Sequence, residues 1–78
     1  GKKPPELYEA TYFAAYSSYK VAVAKKASDA TESEKFATDA EKLLKSTLIL
    51  SPTLGDTGEN MIAKYNKLIE EIGKFLGR

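Results

Sequence analysis

The sequence predicts an all-α fold, a three-helix antiparallel bundle that runs up, down and up, and three observations lead to it. Three stretches repeat their apolar residues at steps of three and four, the spacing of one helix face. Residues that start or stop helices separate these stretches. No segment reads as a strand, because the β-prone residues 47–50 complete a helical pattern. Short connections then make neighbouring helices antiparallel, so the first and third run parallel.

Length and composition limit the function. The 78 residues suffice for one domain with a small core, which we place at residues 5–78 after a polar lead-in at 1–4, where Gly1 is interpreted as a tag remnant. The chain has no Cys, so it has neither a disulfide nor a thiolate metal site. It also has no His, which is the commonest metal ligand and the commonest general base. Its net charge of +1 lacks the clustered basic face that nucleic acid requires. We therefore expect a cytoplasmic, monomeric domain that is not an enzyme. We also expect that it binds no cofactor and no nucleic acid and does not insert into a membrane.

The first helix is predicted over residues 5–27, because Pro5 suits a first helical turn and Lys25 and Lys26 suit a last one. It has two apolar faces. The first consists of Leu7, Ala10, Phe13, Ala14, Val21 and Ala24, and the second of Tyr8, Tyr12, Tyr16, Tyr19 and Val23. A helix that is apolar on two sides is predicted to pack between neighbours. The tyrosines either line the core or form an aromatic groove for a partner, and both interpretations stay open.

The second helix is predicted over residues 31–50. Thr31 and Glu34 fit a capping box at its start, and Asp29 with Glu32 is a competing placement two residues earlier. Ser51-Pro52 ends the helix. Glu41 precedes Lys45 by four residues, which predicts an ion pair. The centre of the apolar face is predicted to be Phe36, Ala40, Leu43, Thr47 and Leu50, with Ala37, Leu44 and Leu48 along one edge.

The third helix is predicted over residues 58–76, capped by Asp56 or Thr57 and ended by Gly77. Its apolar arc is Met61, Ile62, Tyr65, Leu68, Ile69, Ile72, Phe75 and Leu76. We expect Leu43, Leu68 and Ile72 to be largely buried. Gly73 weakens the helix, and either it packs near a bulky side chain or it lets a partner backbone come close.

No catalytic or metal-binding group is predicted. Glu70 and Glu71 are adjacent in a helix and point about 100° apart, so they do not face one site. Ser51 and Thr53 lack a base that would make either a nucleophile. Asp56 and Glu59 lack the alternating acidic spacing of a calcium loop. The basic pairs Lys2-Lys3 and Lys25-Lys26 are interpreted as solubilising charges.

The third helix, ENMIAKYNKLIEEIGKFL, resembles the last helix of MIT (microtubule-interacting and transport) domains of the archaeal type. The residues that carry the resemblance are Glu59, Met61, Ile62, Tyr65, Ile69, Glu70 and Leu76. Ala40-Glu41-Lys42-Leu43-Leu44 is similar to the second helix of that family. Such three-helix domains precede the AAA ATPases that disassemble ESCRT-III filaments. The chain departs from the family at the first turn, residues 27–32, and at Gly73, where the family often has an acidic residue.

The resemblance implies recognition of short amphipathic segments from ESCRT-III-like tails, commonly as a helix between the second and third helices. It places Ile69 on the groove wall and Glu70 near the rim. Helix geometry adds Leu44 and Leu48 as the facing wall, Glu41 and Asn66 alongside, and Gly73 as a point of close approach. The alternatives are a groove between the first and third helices, at Tyr8, Tyr12 and Tyr19, and a structural or adaptor bundle with no groove.

Overall fold

Three helices form the protein in the computed structural model, which describes residues 5–52, 54 and 59–78. They are α1 (Pro5–Lys25), α2 (Ala30–Leu50) and α3 (Glu59–Phe75). The predicted all-α bundle is confirmed, with each described helix end within two residues of its predicted place. No strand occurs in the described part of the chain. The predicted caps Asp56 and Thr57 lie outside it.

Contacts at both ends show that α1 and α2 are antiparallel. The Tyr8 hydroxyl, near the start of α1, donates a hydrogen bond of 3.2 Å to Ser51 Oγ just after α2. At the opposite end, Ser33 Oγ donates to the carbonyl oxygen of Ala22 over 2.6 Å. The first bond joins two side chains and the second joins a side chain to a backbone carbonyl, and together they fix the register of the two helices.

Aromatic contacts show that α3 runs parallel to α1. The rings of Tyr12 and Tyr65, early in each helix, lie 6.1 Å apart. The rings of Tyr19 and Phe75, late in each helix, lie 5.6 Å apart and edge to face. The Tyr65 hydroxyl also donates a 2.6 Å hydrogen bond to the Tyr8 carbonyl oxygen. Together with the antiparallel α1 and α2, this gives the predicted up-down-up order.

The α1–α2 turn is organised by Asp29. Its backbone N–H donates to the Lys25 carbonyl over 2.7 Å and closes the end of α1. Its carboxylate accepts the backbone N–H of Glu32 over 3.1 Å and caps the start of α2. The competing Asp29 placement is therefore confirmed, and the capping box at Thr31 is wrong because Thr31 already lies inside the first turn.

The end of α3 is a Schellman motif. Gly77 has a φ of +80°, which glycine adopts without strain. The N–H of Gly77 donates to the Lys74 carbonyl over 3.0 Å, and that of Arg78 donates to the Gly73 carbonyl over 2.9 Å. The predicted glycine stop is confirmed. After this motif the Arg78 side chain reaches Glu41 of α2.

The core combines small residues between α1 and α2 with large ones from α3. Ala15, Ala22, Ala37 and Ala40 are buried and allow the first two helices to approach closely. Leu68 and Ile72 are buried as predicted. Leu43 is 40% exposed, so its predicted burial is wrong. The buried row of α2 passes through Leu44, the next residue, which points about 100° away from Leu43.

The two apolar faces predicted for α1 differ in burial. On the tyrosine face, Tyr8 is buried and Tyr12 and Tyr19 are half-buried against the core, whereas Tyr16 and Val23 are exposed. Ala15 and Ala22, which belonged to neither predicted face, are also buried. The other predicted face, which includes Leu7, Phe13 and Val21, is exposed along its whole length. The predicted packing of α1 on both sides is wrong, because α2 and α3 both lie against the face that carries Tyr8.

Leu54 belongs to the core although no role was predicted for it. Its side chain is fully buried, and its backbone has a φ of +50° in the left-handed region. Its N–H donates to the Ser51 carbonyl over 2.9 Å. Since Ser51 also accepts the Tyr8 hydroxyl, Leu54 closes the end of the bundle where α1 starts and α2 ends.

Candidate functional site

The predicted site lies on the outer surface between α2 and α3, which we call the α2/α3 groove. The groove comprises six residues of the predicted site, Glu41 and Leu48 on α2 and Asn66, Ile69, Glu70 and Gly73 on α3. Ile62 of α3, which was not predicted as a site residue, joins them here, and the predicted Leu44 is described below. The two helices are antiparallel here. A cavity of about 230 Å³ lies at the far end of the surface, near the α1–α2 turn. It is lined by Lys26 of that turn, by Ala30, Ser33 and Glu34 of α2, and by Phe75 and Leu76 at the end of α3.

Apolar side chains line the groove without being fully covered. Leu48, Ile62 and Ile69 are half-buried and pack against the buried core. Leu44, which was predicted as part of the wall, has 0% exposure. Leu44 therefore supports the wall from beneath and offers no surface to a partner while the bundle stays closed.

Glu41 is held by cations of its own chain. The residue is 7% exposed, and Arg78 Nη1 pairs with its Oε1 atom. Lys45 Nζ lies 3.9 Å from the same oxygen, which confirms the predicted pair. A buried carboxylate needs such partners, because leaving it unpaired costs several kcal/mol. The arginine contact depends on the turn at Gly77, so helix periodicity gave no sign of it.

Gly73 leaves an open place in the groove wall. A Cβ atom built on Gly73 would find no heavy atom within 4 Å. The interpretation that Gly73 packs near a bulky side chain is therefore wrong. The space beside it is open.

The polar rim of the groove is solvated. Asn66, Glu70 and Glu71 are exposed. Glu70 pairs with Lys74 over 3.4 Å, and both side chains are more than two-thirds exposed. An exposed pair of this kind contributes little to stability, so Glu70 can exchange its cation for another at small cost.

The tyrosines between α1 and α3 serve mainly the core. Burial is the main cause that raises the pKa of Tyr65, and the nearby Thr11 hydroxyl partly opposes it. Burial also raises the pKa of Tyr12, with smaller contributions from Tyr16 and Glu71. Tyr16 is 38% exposed, so the stripe leaves only part of its aromatic surface accessible.

Within residues 5–52, 54 and 59–78, no three acidic side chains come together in a way that could hold a metal ion. None of the helices in this described part is long and apolar enough to cross a bilayer. No protein family, curated protein or solved structure matches the chain.

Proposed function

We propose that the chain is a non-enzymatic, cytoplasmic protein-interaction module that binds an amphipathic helix in the α2/α3 groove. The helix would be of the kind found in ESCRT-III-like tails. The observation that carries the proposal is the row of half-buried Leu48, Ile62 and Ile69 beside the open space at Gly73. Such a row offers apolar anchoring points, as grooves for amphipathic helices do.

Binding would draw its free energy from the apolar surface that these side chains still expose. Covering that surface contributes roughly 25 cal/mol per Å². Gly73 has no side chain, so the partner backbone could lie closer to α3 there than elsewhere along the groove.

Charge would orient the partner. Glu41 already accepts the guanidinium of Arg78, which supports a role for this carboxylate in receiving a basic side chain. A basic residue of the partner would meet Glu41 or the exposed Glu70 while its leucines lie on Ile69 and Leu48. Arg78 would then exchange its contact with Glu41 for solvent.

Titration of the labelled chain with C-terminal peptides of ESCRT-III-like proteins, followed by amide NMR shifts, tests the proposal. We expect the largest shifts at Leu48, Ile69 and Gly73. Ile69→Asp should abolish binding while the domain stays folded, because the new carboxylate would be desolvated in the interface. Ala63→Asp adds the same charge at an exposed position of α3 and should bind as the unmodified chain does.

Gly73→Gln gives an independent check. The added side chain should weaken binding by filling the groove, and it should raise the melting temperature because glycine is a poor helix former. Shifts confined to Tyr8, Tyr12 and Tyr19 would move the site to the surface between α1 and α3. If no such peptide binds, the alternative of a structural or adaptor bundle replaces the module.

A further inference from the structure

A second apolar surface lies on α1, on the side away from the core. It consists of five residues of the predicted face, Leu7, Ala10, Ala14, Val21 and Ala24, together with the small polar Ser17, and we call it the α1 outer face. Phe13 of the predicted face, 54% exposed, lies at its flank. All six residues are exposed, with Leu7 at 43% and Val21 at 38%. Their spacing alternates three and four residues over nearly five turns, which is the pattern of a helix that packs against another helix.

The α1 outer face continues onto α2. A cavity of about 220 Å³ lies between the two helices and is lined by Leu7, Tyr8, Thr11, Thr47, Leu50 and Ser51. Leu50 is 83% exposed, and Leu43, one heptad before it, is 40% exposed. Contiguous exposed apolar surface on a small domain marks an interaction site.

The sizes of the side chains fit an antiparallel copy of the same helix. If two α1 helices lie antiparallel and centred between Ala14 and Ser17, Leu7 of one faces Ala24 of the other. Ala10 then faces Val21, and Ala14 faces Ser17. Each large residue meets a small one, so the backbones can approach closely along the whole contact.

The charges favour the same arrangement. Glu6 and Glu9 lie in the first half of α1 and Lys20 lies in the second half, all three exposed. Glu9 and Lys20 lie on the same flank of the face, so an antiparallel pair brings Glu9 near Lys20 of the second copy, whereas a parallel pair leaves each without an opposite charge at its own level. A rim of mixed sign also lacks the excess of Lys and Arg by which amphipathic helices bind anionic lipid.

We propose that two copies of this chain associate through the α1 outer face as an antiparallel pair related by a two-fold axis. The dimer departs from the monomer expected from the sequence. It uses a surface opposite to the core-facing side of α1 and separate from the α2/α3 groove. Dimer formation and peptide binding are therefore measured by different variants.

Sedimentation equilibrium of the 78-residue chain, from about 10 µM to about 1 mM, tests the association. We expect the apparent mass to rise toward twice the 8.6 kDa of the monomer. Ala14→Glu, at the centre of the face, should keep the helical circular dichroism and return the mass to that of the monomer. Ala63→Glu, exposed on α3, should leave the dimer intact. A monomer at every concentration, or a dimer unchanged by Ala14→Glu, would overturn the proposal.

Cysteine cross-linking tests the orientation, because the chain has no cysteine of its own. When a mixture of Leu7→Cys and Ala24→Cys chains is oxidised, the yield of the mixed disulfide should far exceed that of either disulfide-linked homodimer. Homodimers of Leu7→Cys alone would indicate a parallel pair and contradict the arrangement.

Glu9→Lys and Lys20→Glu should each weaken the dimer several-fold, and combining them in one chain should restore it. A double variant weaker than both single variants would also contradict it.

Discussion

Replacing Leu54 tests the most unexpected part of the fold. Its side chain is 0% exposed, so Leu54→Ala should create a cavity and cost about 2–5 kcal/mol in the free energy of unfolding. A chain of 78 residues is stabilised by about 4–12 kcal/mol in total, at roughly 0.05–0.15 kcal/mol per residue. The variant should therefore lose a large fraction of its stability. Urea denaturation followed by far-ultraviolet circular dichroism measures this loss.

A second substitution separates burial from backbone conformation. In the middle of a helix or strand, glycine lowers the free energy of unfolding by about 0.5–1 kcal/mol relative to alanine. At a φ of +50° an L-residue carries a cost of about 1–2 kcal/mol that glycine does not. Leu54→Gly should therefore be at least as stable as Leu54→Ala, even though it buries one methyl group less.

Leu50→Ala is the matched control. It makes the same chemical change four residues earlier, at a side chain that is 83% exposed, and should cost less than about 0.5 kcal/mol. A cost below that value for Leu54→Ala would show that Leu54 is not part of the core. A glycine variant weaker than the alanine variant by more than about 1 kcal/mol would contradict the left-handed backbone.

Four further outcomes are expected. Leu68→Ala should lower the free energy of unfolding by about 2–5 kcal/mol in urea, as for other buried leucines. Gly73→Ala should raise the free energy of unfolding by about 0.5–1 kcal/mol, because alanine favours a helix over glycine and the added methyl group meets no atom. A decrease would mean that this space is filled. Asp29→Ala should lower the melting temperature through the loss of a cap worth about 0.5–2 kcal/mol, whereas Thr31→Ala should leave it nearly unchanged. Burial raises the pKa of Tyr65 in the folded state, so its stabilising effect is complete below pH of about 10 and falls as the pH rises further. Tyr65→Phe should cost about 1 kcal/mol near neutral pH and flatten the alkaline decline in stability; an equally steep decline would contradict this role.

Periodicity predicted the helices because each one buries a single stripe, and α3 shows this most clearly. Its predicted arc contains Tyr65, Leu68 and Ile72, all buried. On α2 the apolar residues spread over a wider arc, and the sequence could not tell whether Leu43 or Leu44 faces inward. The answer depends on where α1 and α3 lie, which is a tertiary property.

Other features depended on backbone geometry that sequence patterns do not report. Leu54 is an isolated apolar residue in a polar connection, and this isolation was the one available sign of its burial. The Glu41–Arg78 pair forms because the chain reverses at Gly77, which brings together residues far apart in sequence. For the α1 outer face, the sequence identified five of the six residues but could not show that neither α2 nor α3 covers them.

The turn built on Asp29 also bears on the order in which the protein folds. Four residues, 26–29, connect α1 to α2, whereas eight residues, 51–58, connect α2 to α3. Doubling the length of a flexible connection adds roughly 0.6 kcal/mol of closure entropy, and local contacts generally form faster than distant ones. The α1–α2 hairpin is thus favoured to form first, with its alanines already in contact, and α3 is favoured to dock last. By the same reasoning α3 would be the first helix to detach, in an opening that briefly uncovers Leu44 and the rest of the hairpin's inner face.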